Sequence, residues 1–196
     1  MAFLPPVKIA VEQIREIQLE IINSYVLDFA KHAPVSDIPK LSLIWDSIPT
    51  HLSRENKKFI FSAIKKGARS REYENALIWL EDAGLIYRTA VVETSKFPLK
   101  QFKNRNCFKV YTVDVGLLGA MVKLSPDILV QGKRLFDSYK GAFVENYVAQ
   151  QLISTMKQRI YYWSRKDAKA EVVSASALKC SKICGLKMQK IFGLKM

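Results

Sequence analysis

Four cations, Lys65, Lys66, Arg69 and Arg71, fall within one short stretch around Gly67. Glycine permits the tight turn that such a stretch needs. A helix beginning near Arg69 adds free backbone amides and a partial positive charge at the same place. This combination suits phosphate, with Arg69 and Arg71 placed for base or phosphate contact. Glu72 and Glu74 interrupt the positive face, so docking on an acidic protein surface is the competing use. A second basic run carries Lys96, Lys100, Lys103 and Arg105, with Phe97 and Phe102 interleaved. The candidate nucleic-acid-binding set is therefore Lys65, Lys66, Arg69, Arg71, Lys100, Lys103 and Arg105.

Other chemistries find less support. No serine or cysteine has an evident base and orienting partner, so no nucleophilic triad is expected. His32 and His51 are the two histidines, each beside a helix end, where a cap or surface role is expected. Cys107, Cys180 and Cys184 lack metal-ligand spacing, and no metal is expected. A phosphate-cradling loop needs two glycines at fixed spacing followed by lysine and a hydroxyl residue. Gly132-Lys133 is followed by Arg134 and has no glycine five residues earlier, so nucleotide hydrolysis, catalysis and cofactors are not expected. Tyr161, Tyr162 and Trp163 could stack on bases, but a strand core is the expected place for them.

The chain that must position these residues has 196 of them, 49% hydrophobic and 25% charged, with a formal charge of +13. That balance suits a folded protein, and the charge attracts polyanions. No apolar run approaches the roughly 18 residues of a membrane span, and the start lacks the basic end and apolar core of a signal peptide. No membrane partner is expected, and a cytoplasmic place with reduced thiols is.

Val11, Ile14, Ile17, Ile21, Tyr25 and Phe29 recur at helical spacing and predict a helix over 11–32 that packs by that face and stops at Pro34. Ser36-Asp37-Ile38-Pro39 opens a second helix to about Leu52, with Leu41, Ile44, Trp45 and Ile48 inward and Pro49 as a possible kink. Residues 59–64 read as a short strand or helix lead-in. A third helix over 69–83 buries Tyr73, Ala76, Leu77 and Leu80 and stops at Gly84. Strands are expected over 85–93 and 108–113, with a loop over 95–106. A short helix follows Asp114, another starts at Ser125, and a long one spans 138–156. Residues 159–164 and 169–174 read as a hairpin. Ser181 to Met188 is nearly repeated as Gln189 to Met196, and after Glu171 come five lysines and no acid. Two copies are too few for a solenoid.

Seven segments carry a family resemblance: Tyr25-Val-Leu-Asp-Phe-Ala-Lys-His-Ala33, Ile44-Trp-Asp-Ser-Ile-Pro49, Glu55-Asn-Lys-Lys-Phe59, Lys65-Lys-Gly-Ala-Arg-Ser-Arg-Glu-Tyr-Glu74, Trp79-Leu-Glu-Asp-Ala-Gly-Leu-Ile-Tyr87, Asp114-Val-Gly-Leu-Leu-Gly119 and Tyr139-Lys-Gly-Ala-Phe-Val-Glu-Asn-Tyr-Val148. In that order, over about 5–172, the chain resembles the prokaryotic AAA-type ATPases that end in domain-of-unknown-function family 4143. The resemblance implies a winged helix and an endonuclease-like end, with an ATPase module preceding them. It places Glu145 as the first acid of a nuclease-like site. Ala170-Glu-Val-Val173 resembles a family segment in which an aspartate stands where this chain has Val173, so Glu145 and Glu171 are a remnant. A helix-surface or capping carboxylate is the preferred reading of Glu145.

The expected fold is thus α+β and mainly helical, a winged-helix domain followed by a partial restriction-endonuclease-like domain. The expected divisions are a linker helix over 1–34, the winged helix over 35–115, the partial domain over 116–173 and a lysine-rich tail over 174–196. The expected role is a non-catalytic accessory fragment that binds DNA, an AAA-type ATPase module or another partner protein. A decayed fragment, or ATPase activity confined to a longer parent, is the alternative.

Overall fold

In the computed structural model, which describes residues 6–54, 57–92, 94, 98–124, 137–156, 159–164 and 171–175, helices flank a small mixed sheet. The mainly helical α+β reading holds. Helix α1 spans Pro6–His32, α2 Ile38–Ser53 and α3 Ser70–Asp82, with a single 3-10 turn at Phe61–Ala63 between the last two. Strands β1 (Ile86–Val92) and β2 (Lys103–Thr112) follow, then α4 (Val115–Met121), α5 (Asp137–Met156), β3 (Ile160–Ser164) and β4 (Glu171–Ala175).

The third helix forms as its pattern predicts. Tyr73, Ala76, Leu77 and Leu80 are its buried residues. Gly84 follows at φ +72°, a left-handed backbone that costs glycine little, and the Leu85 amide returns to the Leu80 carbonyl at 3.0 Å. Helix α2 buries Leu41, Ile44, Trp45 and Ile48, and it carries Pro49 within its span. Between them the Phe59 amide bonds the Phe108 carbonyl at 2.9 Å, and the Phe59 and Phe108 rings stack at 5.5 Å. The α2–α3 connection is thereby pinned to β2.

Helix α1 differs from its expected orientation. Ile14 and Ile17 are 52% and 55% exposed, and Ile21 37%. Tyr25 and Phe29 of the expected face do turn inward, but toward the start of the helix Arg15, Gln18 and Ile22 take the inward places of the isoleucines. Arg15 decides this rotation, because its guanidinium donates to the Gly116 carbonyl at 3.2 Å and to the Gln18 side chain at 2.7 Å. At its far end α1 docks by apolar contact, where Phe29 lies edge-on to Trp45 and Trp79.

The sheet order is β2-β1-β3-β4. Strands β1 and β2 are antiparallel, β1 and β3 parallel, and β3 and β4 antiparallel. Strand β2 begins five residues earlier than its alternating pattern suggests. The cause is a register shift: Ala90 pairs Phe108, but Val91 pairs Asn104, so a bulge interrupts the period-two signal. Residues 99–102 make a second 3-10 turn before it. The short helix expected from Ser125 and the duplicated tail lie outside the described residues.

Candidate functional site

The turn before α3 is where the basic residues sit. Gly67 takes φ +80°, and the Ala68 amide closes on the Lys65 carbonyl at 2.9 Å. Arg69 is extended, at φ −112° and ψ 147°, and stands at the N-cap of α3. Lys65, Lys66, Arg69 and Arg71 are all exposed, and none has an ion pair among the described residues. The inward residues of α3 fix the orientation of this outward surface.

Two of the carboxylates further along α3, Glu74 and Glu81, are occupied. Arg88 on β1 donates to Glu74 at 2.6 Å and pairs with Glu81 at 3.2 Å, while its guanidinium lies 5.5 Å from the centre of the Phe108 ring. Glu74 therefore leans toward the sheet and is spent there, leaving the exposed Glu72 as the acid beside Arg69 and Arg71. A cleft of about 200 Å³ opens at this junction, lined by Glu74, Glu81, Arg88, Lys103 and Arg159 among others. Lys103 is half-buried in β2, while Lys100 is exposed on its 3-10 turn. Arg105 belongs to β2, but its side chain, like Lys96 and Phe97, lies outside the described residues.

Glu145 is neither a surface nor a capping group. It accepts from Lys57 at 2.5 Å, Lys109 at 2.7 Å and Tyr111 at 2.6 Å. Burial pushes its carboxyl up, but the Lys109 charge and the hydrogen bonds of Lys109, Lys57 and Tyr111 outweigh that and hold it below the usual carboxylate range. Lys109 itself is wholly buried and lies 4.8 Å from the centre of the Tyr162 ring. Every Glu145 oxygen is thus committed to neighbours within the fold, an arrangement that locks α5 to the sheet. The Glu171 side chain and Val173 side chain lie outside the described residues, although both residues belong to β4.

Two further polar anchors on α5 were not legible in the sequence. Asn146 accepts from the Thr112 amide at 2.9 Å and donates to the Thr112 carbonyl at 3.2 Å, so its amide extends the edge of β2 as a peptide group would. Gln150 accepts from the Val115 amide at 3.1 Å and donates to Asp114 at 3.2 Å. Asp114 in turn caps α4 by accepting from the Leu117 amide at 3.0 Å. Lys109 did leave a signal: it shares a strand face with Tyr111, opposite Phe108 and Val110, in a strand that is buried on both sides.

The remaining candidates are placed as follows. His32 is exposed at the end of α1. His51 is buried, stacked on Phe59 at 4.4 Å, with Nδ1 2.8 Å from the Ser47 carbonyl and Nε2 3.0 Å from that of Ile60, so it is a core residue and not a surface cap. Tyr161 and Tyr162 are buried and give no platform for bases. Among the described residues no three His, Cys, Asp or Glu side chains gather as a metal site would require, and no helix is long and apolar enough to cross a membrane.

Residues 7–128 match the family described as Domain of unknown function (DUF8612). This corrects the resemblance to the AAA-type ATPases ending in family 4143, since the matching family is a different one and no ATPase family accompanies it. The structure shows why the segments misled. Trp45 and Ile48 are core, Gly84 closes α3, Asp114 caps α4, and Glu145 and Asn146 anchor α5. Such positions report helix ends and packing, which unrelated modules share. No curated protein and no solved structure matches the chain. The matched span covers α1 to α4, and with them the basic turn, and ends before α5.

Proposed function

For a chain that belongs to the family Domain of unknown function (DUF8612), we propose a non-catalytic module that holds DNA by its phosphates through Lys65, Lys66, Arg69 and Arg71. One observation carries this reading: the four cations are exposed on a turn fixed by the core and have no ion pair among the described residues, while Arg88 draws Glu74 away toward the sheet. An unneutralised cluster of this kind gains by releasing the counterions of a nucleic acid. The net charge of +13 adds long-range attraction at low salt. The order α2, α3, β1, β2, with β1 and β2 antiparallel, supports reading 35–115 as a winged helix, in which α3 would approach the groove and the β1–β2 connection bearing Lys100 would serve as the wing.

The test is fluorescence anisotropy of a labelled duplex across a salt series. Four phosphate contacts give a slope of log affinity on log salt of about −3.6. Replacing Arg69 and Arg71 by alanine flattens that slope by about 2 and weakens binding to unrelated sequences alike. Absence of binding at low salt, salt-independent binding, or an unaltered slope in the double variant each defeats the reading. Magnesium-dependent ATP turnover by the purified chain defeats its non-catalytic part.

A further inference from the structure

Helix α1 exposes six large apolar side chains, Ile14, Ile17, Leu19, Ile21, Val26 and Leu27, the last at 71%. Single exposed apolar residues need no explanation, but Ile14, Ile17 and Ile21 fall on one stripe of the helix, and a contiguous exposed apolar stripe marks a contact surface. The exposed charges on the neighbouring stripe of the helix are of one sign. Between residues 12 and 28 the exposed charged residues are Glu12, Glu16, Glu20 and Asp28, and none has an ion pair among the described residues. Arg15, the cation of that stretch, is turned inward on Gly116.

An occupant must therefore be apolar and positive. A second copy of α1 is disfavoured, because pairing these faces would set like charges against each other. Residues 176–196 of this chain fit: they carry Lys179, Lys182, Lys187, Lys190 and Lys195, no acid, and Leu178, Ile183, Leu186, Ile191, Phe192 and Leu194 between them. Fully extended, those residues reach about 70 Å, and α1 is about 40 Å long. Attachment to the same chain brings the segment to an effective concentration on the order of 1 mM. We propose that residues 176–196 lie along the exposed face of α1, with lysines on Glu12, Glu16 and Glu20 and apolar side chains on Ile14, Ile17 and Ile21. The segment then shields an apolar surface and is held away from the nucleic acid that its charge would otherwise seek.

The experiment uses the full chain with Cys107→Ser and Cys180→Ser, so that a nitroxide can be attached at Cys184 and isoleucine methyl signals read by NMR. The expected result is loss of the Ile14, Ile17 and Ile21 signals through paramagnetic broadening, with those of the core residues Ile44 and Ile48 retained. In a mixture of isotope-labelled chains and separately nitroxide-labelled chains, these signals persist if the contact is made within one molecule. The variant Glu12→Lys, Glu16→Lys, Glu20→Lys, changed on an exposed face, restores the signals in the nitroxide-labelled chain. Four outcomes overturn the proposal: unbroadened α1 methyls, broadening that appears only between molecules, broadening centred on the α2–α3 turn, or broadening unaffected by the charge reversals. The binding of DNA by the α3 turn is read separately, so either inference can fail alone.

Discussion

Replacing Glu145 by glutamine removes one negative charge from between two lysines without changing the shape of the side chain. The carboxylate accepts from Lys57, Lys109 and Tyr111 at 2.5, 2.7 and 2.6 Å. Lys57 retains 19% exposure and can turn toward water, but Lys109 retains 1% and keeps its charge in the interior. Taking the counter-charge from a buried pair costs about 3–5 kcal/mol. The amide oxygen still accepts one hydrogen bond, so about 3 kcal/mol is expected here. For a chain of this size that corresponds to a fall in Tm of about 6–12 °C. Urea unfolding followed by circular dichroism measures it directly. Lys109→Met combined with Glu145→Met should recover most of the loss, because an apolar pair has no charge to strand. The pH dependence gives a second check. The folded carboxyl titrates below its ordinary value of 4.5, so its contribution is present above that pH and drains away as pH falls through the lowered folded value. Glu145→Gln should therefore flatten the acid limb of the stability curve. A cost below about 1 kcal/mol with an unchanged acid limb would show that the cluster is not the lock on α5 described above.

Asn146→Ala removes the group that satisfies both the amide and the carbonyl of Thr112, so a loss of about 2–4 kcal/mol and faster hydrogen exchange at the Thr112 amide are expected; unchanged exchange there would refute the edge-extending role. Gly84→Ala meets nothing within 4 Å, so its cost should be that of the φ +72° backbone alone, about 1 kcal/mol, and a much larger value would mean that unseen packing matters. Arg88→Met frees Glu74, one turn into α3 from the basic turn, and DNA affinity should fall although position 88 touches no nucleic acid in the proposed mode. Unchanged anisotropy titrations would remove Arg88 from the account.

Where the sequence spoke clearly, one physical effect dominated. Tyr73, Ala76, Leu77, Leu80 and Gly84 delimit α3 because burial and the glycine stop coincide in one short window. On α1 two signals competed, and a half-buried hydrogen bond from Arg15 to the Gly116 carbonyl prevailed over the isoleucine stripe that period alone would have turned inward. The start of β2 was hidden by the bulge opposite Ala90 and Val91. Glu145 was conspicuous as an acid on an amphipathic helix, but its meaning lay in Lys57 and Lys109, which are 88 and 36 residues away. Local patterns cannot report such pairs. The cations at 65–71 were legible as a cluster, and the fold added what the sequence could not, namely that Arg88 occupies the acid at 74 and leaves the one at 72 exposed.

The parallel pairing of β1 with β3 has a consequence for synthesis. Ala90, Val91 and Val92 find their partners at Tyr161, Tyr162 and Trp163, so the ribosome must add about seventy residues after β1 before this pairing can form. At about 5–20 residues per second that delay is roughly 4–14 s. During it, one edge of β1 waits for a strand that has not yet been made, a hazard for any nascent chain. Premature termination between 129 and 159 would leave the family-matched portion with that edge permanently bare, and such products should be cleared by proteases sooner than the whole chain.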